Sequence, residues 1–183
     1  MTSSRATGSG TLRLFVAKDE HKFSCAHMTI FADGTKERLH GHNYHASAAV
    51  EISPEQPGVM LDFAIVKQAL STLCAELREH LLIPARHPSV RVVQEQHGEL
   101  ELLVCGRRYV VPADEVLLLP VGNLVVEELA EYLWHRVEDA LRSELLATGV
   151  VSLEVTVTES PGQGATWRAS VGAAPGTEPE ARS

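Results

Sequence analysis

Two histidines separated by one glycine, His40-Gly41-His42, are the residues of this 183-residue chain best suited to chemistry. On an extended strand, residues i and i+2 point to the same side. Both imidazoles can therefore reach one ion. His27 closes the stretch FSCAH, thirteen residues upstream of His40, and it meets the other two if the strands pair. Three imidazoles form a nitrogen set suited to Zn²⁺ and leave the fourth tetrahedral position open, as a catalytic site needs. The same spacing fits a surface turn beside a satisfied core histidine, and spacing alone does not choose between the two. Alternation carries His45 to the face opposite His42 and places His21 further from the cluster, so neither is read as a ligand.

The elements that must position these residues follow from periodicity. Leu12, Leu14 and Val16 alternate and predict a strand over 11–16. After the polar break Lys18-Asp19-Glu20-His21, a second strand is predicted over 22–28 and a third over 42–52. SPEQPG at 53–58 is a turn cluster. Asp62 is the N-cap of a helix carrying Phe63, Val66, Leu70, Leu73 and Leu77, with its end expected near Pro84. RVVQ, ELLV, RYVV and EVLLL within 90–119 read as short strands, with turns at Gly98 and Gly106-Arg107. A second helix follows Gly122-Asn123, with Val126, Leu129, Ala130, Leu133, Val137, Leu141 and Leu145 on one face and Gly149 as its stop. A closing strand is predicted over 151–157. Strands and helices in blocks predict an α+β fold with an antiparallel sheet and a small β insertion at about 85–120.

Composition narrows the partners. The formal net charge of −8 argues against nucleic acid, because phosphate binding leans on clustered Lys and Arg. No apolar run reaches the ~18 residues of a membrane span. Cys25, Cys74 and Cys105 show no disulfide framework, and the first ten residues carry no apolar leader core, so a soluble cytoplasmic protein is expected. The folded domain is expected over 11–171, between disordered segments 1–10 and 172–183.

FSCAHMTIF, ERLHGHNY, GVMLDF and the late VTVTE, in this order, resemble the 6-pyruvoyl tetrahydropterin synthase family, which includes the bacterial 6-carboxy-tetrahydropterin synthases. The resemblance covers most of residues 12–168. It implies a T-fold, an antiparallel four-stranded sheet carrying two helices on one face. It also implies His27, His40 and His42 as Zn²⁺ ligands and Glu159 as the anchor of a pterin ring, since a carboxylate accepts two hydrogen bonds from a 2-amino-pyrimidinone edge. Asn123 and Glu127 match a substrate-binding stretch at the start of the second helix. The family often carries threonines there, and this chain has Leu124, Val125 and Val126.

The family's general base is a cysteine at the position of Lys36. Lys36 and Glu37 are equal candidates to replace it, with Cys25 third because strand alternation puts it on the side of His27. The family's Asp-His dyad meets Arg78-Glu79-His80 here, so either Arg78-Glu79 or Glu79-His80 takes its place. The resemblance implies a lyase acting on 7,8-dihydroneopterin triphosphate or a close relative, in queuosine or tetrahydrobiopterin-type biosynthesis. It implies a homohexamer of two stacked trimers, with sites between subunits and Glu159 facing a neighbour's zinc. The altered loop and base also fit recruitment to another small substrate, or a non-catalytic pterin or metal binder.

Overall fold

A computed structural model describes residues 11–53 and 60–172. Residues 54–58 of the expected turn and the segments 1–10 and 173–183 lie outside the described residues. The first two predicted strands are one, β1 (Leu12–His27). The polar break does not end it. Pairing with β2 (His40–Ile52) shifts register between Ala17 and Lys22, and a bulge there leaves Lys18, Asp19 and Glu20 in solvent.

Asp62 caps α1 (Phe63–Leu77), its carboxylate accepting the Ala64 N–H at 2.8 Å. The helix stops well short of Pro84. Glu79 takes a left-handed φ of 62°, and its N–H donates to the Ser24 carbonyl of β1 at 2.7 Å. That docks the next residues as a strand, β3 (His80–Pro84), which lies parallel to β1. The apolar run suits it. Leu82 joins the helix-side core while Leu81 and Ile83 join a second core on the other face, as expected of a strand buried on both sides.

β4 (Val90–Gln96), β5 (Glu99–Val104) and β6 (Arg107–Pro112) form a separate three-stranded antiparallel sheet. The β5–β6 turn is Cys105-Gly106, one residue earlier than expected. Both residues have positive φ, 49° and 71°, which is the two-residue geometry that matches strand twist. The last insertion strand, β7 (Val116–Leu119), leaves this sheet and pairs in parallel with β3.

α2 (Val126–Ala147) ends two residues before Gly149. It is followed by β8 (Val150–Ser160) and β9 (Gln163–Ser170), an antiparallel hairpin. β9 was not expected, because its polar side chains hide the alternation. The main sheet has six strands in the order β7-β3-β1-β2-β8-β9, which corrects the four-stranded expectation. The antiparallel unit β1-β2-β8-β9 is present, and β3 and β7 extend its β1 edge in parallel.

The two helices share one core with Phe23, Tyr44, Val50, Val155 and Val157. Trp134 of α2 donates its indole N–H to the Leu153 carbonyl at 2.8 Å, fixing helix to sheet. The small sheet covers part of the other face, packing Leu100, Leu102 and Val104 near Met28, Ile30, Leu81 and Ile83. Among the described residues no helix is long and apolar enough to cross a membrane.

Candidate metal centre and active site

His27 ends β1, His40 begins β2, and the two are direct partners in the antiparallel pair. Cys25 opposes His42 and Phe23 opposes Tyr44 one step further on. One sheet face therefore carries His27, His40, His42 and Tyr44 at its end. Gly41 points away from them, where a Cβ would come within 3.2 Å of the Cys25 carbonyl. That close approach favours glycine between the two histidines.

One ring nitrogen from each of His27, His40 and His42 lies within 4.8 Å of the others. His27 Nδ1 is 3.1 Å from the Leu124 carbonyl and His40 Nδ1 is 2.8 Å from the Arg38 carbonyl. A carbonyl only accepts, so each Nδ1 carries the proton and each Nε2 keeps its lone pair. His27 is buried, and burial, helped by the neighbouring imidazoles His40 and His42, pushes its pKa down to about 4. A neutral imidazole is the ligating form. The donor set thus fits a divalent ion of the imidazole-binding class.

The histidines open into a cavity of about 250 Å³. Glu37, Glu127 and Glu159 line it with Thr29, Gln163 and the Leu124-Val125-Val126 loop. The Glu37 carboxylate is 3.8 Å from His40 Nε2, and the Glu159 carboxylate is 3.4 Å from His42 Nε2. Glu159 thus faces a histidine of its own chain. Three carboxylates around three imidazoles make a field that favours a cation. Leu124, Val125 and Val126 give that wall an apolar surface.

The remaining candidates fall elsewhere. Lys36 turns away from the histidines. Its ammonium donates to the Glu37 carbonyl at 2.9 Å and lies 5.3 Å from the Tyr109 ring centroid. Cys25 shares the His27 face, as alternation required, but it is packed in the core and burial pushes its thiol up to about 12. Glu79 and His80 line a separate cavity of about 550 Å³ with Cys25 and Asn43, which touches the metal cavity's residues only at His42. Asn123 is engaged by the backbone. Its side chain accepts from the Ile30 and Leu124 N–H groups and donates to the Ile30 carbonyl, so it clamps the loop against the end of β1.

Tyr44 is the residue that sequence reasoning passed over. Its hydroxyl is 3.2 Å from His27 Nε2, and burial raises its pKa. The signal was the continued alternation His40, His42, Tyr44. His45 is exposed on the opposite face, and His21 is fully buried with neither ring nitrogen hydrogen-bonded.

The family profile of 6-pyruvoyl tetrahydropterin synthase matches residues 16–170. A Methanocaldococcus jannaschii protein, provisionally named a 6-carboxy-5,6,7,8-tetrahydropterin synthase, is 31% identical over 150 residues, covering 80% of this chain and 89% of that protein. A provisionally so-named protein of Pyrococcus horikoshii is 28% identical over 126 residues, covering 68% of this chain and 71% of its own length. The crystal structure of 6-pyruvoyl tetrahydropterin synthase from Plasmodium vivax superposes with a TM-score of 0.80 at 27% identity, over 88% of this chain and 99% of that one. That Plasmodium enzyme has also been solved with a catalytic glutamate changed to alanine and to cysteine.

Proposed function

The chain belongs to the 6-pyruvoyl tetrahydropterin synthase family, and from that premise we propose that it is a Zn²⁺-dependent lyase acting on 7,8-dihydroneopterin triphosphate or a close relative. The product is a 6-pyruvoyl- or 6-carboxy-tetrahydropterin. The observation that carries this reading is the meeting of His27, His40 and His42 with Glu37 and Glu159 in one cavity.

Zn²⁺ held by the three imidazoles would supply Lewis-acid polarisation of substrate side-chain oxygens. The chain's own residues do the rest. Glu37 is the proposed general base. Its carboxylate lines the cavity beside His40, where a general base must stand to reach a substrate held at the three histidines. A glutamate is a catalytic residue in the Plasmodium vivax enzyme, which supports carboxylate chemistry without the cysteine. Lys36 is not proposed as the base, because its ammonium is turned toward Tyr109.

Glu159 is the proposed acceptor for the pterin's amino-pyrimidinone edge, with Glu127 as a second carboxylate in the same wall. Asn123 is given a positioning role, because its amide is already bonded to the backbone. The Leu124-Val125-Val126 wall gives the flat ring an apolar surface in place of hydroxyl contacts. Glu79 and His80 are proposed to act from the neighbouring cavity that meets the metal cavity at His42.

A homohexamer is part of the proposal. β7 and β9 are the open edges of the main sheet, and Trp167 on β9 is partly exposed. Association closes such edges. The deciding experiment is incubation of the zinc-loaded chain with 7,8-dihydroneopterin triphosphate, with the pterin product identified by mass. A 6-pyruvoyl or 6-carboxy product supports the reading, and unchanged substrate at full zinc occupancy overturns it.

A further inference from the structure

The chain is acidic overall, yet Lys36, Arg38, Arg107 and Arg108 gather around one cavity of about 790 Å³. It lies between the loop at 34–38 and the β5–β6 turn. Glu37 lines both this cavity and the metal cavity, so the two share a wall.

Two of the four basic side chains are held in place. Arg108 is braced on β6 by Glu101, which accepts from Nε at 2.8 Å and Nη2 at 3.1 Å. Lys36 is fixed by the Glu37 carbonyl. The positive-φ turn Cys105-Gly106 sets the strand that presents Arg107. Arg38 and Arg107 make no ion pair or side-chain hydrogen bond among the described residues. Gathering unpaired like charges is unfavourable on its own. It becomes favourable when a multivalent anion accepts charge-assisted hydrogen bonds from them.

Size points the same way. The metal cavity, about 250 Å³, falls below the ~300–1,000 Å³ of ordinary small-molecule sites. A bicyclic ring with a phosphorylated side chain exceeds it, and the basic cavity is the neighbouring space that shares the Glu37 wall. We infer that the basic cavity between the 34–38 loop and the β5–β6 turn holds the oligophosphate end of the substrate, with Arg38 and Arg107 as its free donors. This rests on the pterin triphosphate reading above. It gives the insertion sheet a task, and it gives Lys36 a role as fixed positive charge.

The test compares the full-length, zinc-loaded parent with Arg38→Ala and Arg107→Ala, with 7,8-dihydroneopterin triphosphate as substrate. Titrations with 7,8-dihydroneopterin and with inorganic tripolyphosphate separate the two ends of the ligand. Each variant should raise KM about tenfold and weaken tripolyphosphate by a similar factor, the scale of one lost charged hydrogen bond. Turnover number and dihydroneopterin affinity should stay within about twofold on the same scale. Turnover by the parent with unchanged KM and tripolyphosphate affinity in both variants would overturn the inference and leave the enzyme reading intact. Arginine-dependent tripolyphosphate binding by a parent that turns nothing over would uphold the anion site and remove the enzyme reading.

Discussion

The Glu37 carboxylate stands 3.8 Å from His40 Nε2, while the side chain one residue earlier, Lys36, leaves on the other side of the loop. The loop runs extended against the end of β1. Ile30 bridges to Lys36, and the Glu37 N–H donates to the Thr29 carbonyl at 2.9 Å. Successive side chains of extended backbone point to opposite sides. One residue of register therefore decides which group faces the histidines and which faces the basic cavity.

The metal assignment predicts about one Zn²⁺ per chain in the purified protein. His40→Ala and His42→Ala each remove one of three ligands and should lose most of the metal by elemental analysis. Tyr44→Phe removes only a hydroxyl near His27 and should retain it. Full zinc in both histidine variants would refute the site.

Thiol reactivity should follow burial. Cys25 and Cys74 are buried, with their thiols pushed up to about 12 and about 11, whereas Cys105 is partly exposed at the β5–β6 turn. A disulfide exchange reagent at neutral pH should titrate about one thiol in the native chain and three after unfolding, because the thiolate is the reacting form. Rapid native labelling of Cys25 would reopen its candidacy as a base.

His21 should make stability depend on pH. It is buried with both ring nitrogens unpartnered, and burial lowers its pKa. Between that lowered value and the unfolded value of ~6.5, the unfolded chain binds a proton that the native chain refuses. Stability is therefore full above ~6.5 and falls as pH drops below it, by at most about 1.4 kcal/mol per pH unit. Denaturant unfolding at pH 7.5 and 5.0 should show a larger acid loss for the parent than for His21→Leu. Equal losses would mean that His21 finds a partner in solution.

Much of this was legible in the sequence. The alternation of His40 and His42, the Asp62 cap and the apolar stripe of α2 each have a local physical cause, and each appears where the spacing put it. What escaped notice depends on distant partners. β3 looked like the tail of α1 until the left-handed Glu79 and its bond to Ser24 turned the chain. β7 looked like part of the insertion, but its pairing is with β3. β9 hides its alternation under Thr166 and Arg168, which satisfy themselves against Thr156, Glu51 and Glu154. The different fates of Lys36 and Glu37 turn on a bridge to Ile30 that no local pattern announces.

The central claim is that Glu37 removes the substrate proton beside a three-histidine metal site. The most direct measurement is kcat for 7,8-dihydroneopterin triphosphate in the parent and in Glu37→Ala, at equal and verified zinc content. Loss of a general base typically costs about 10²–10⁴-fold, so Glu37→Ala should fall by at least about a hundredfold with its zinc retained. A zinc-replete Glu37→Ala enzyme with parental kcat would contradict the account.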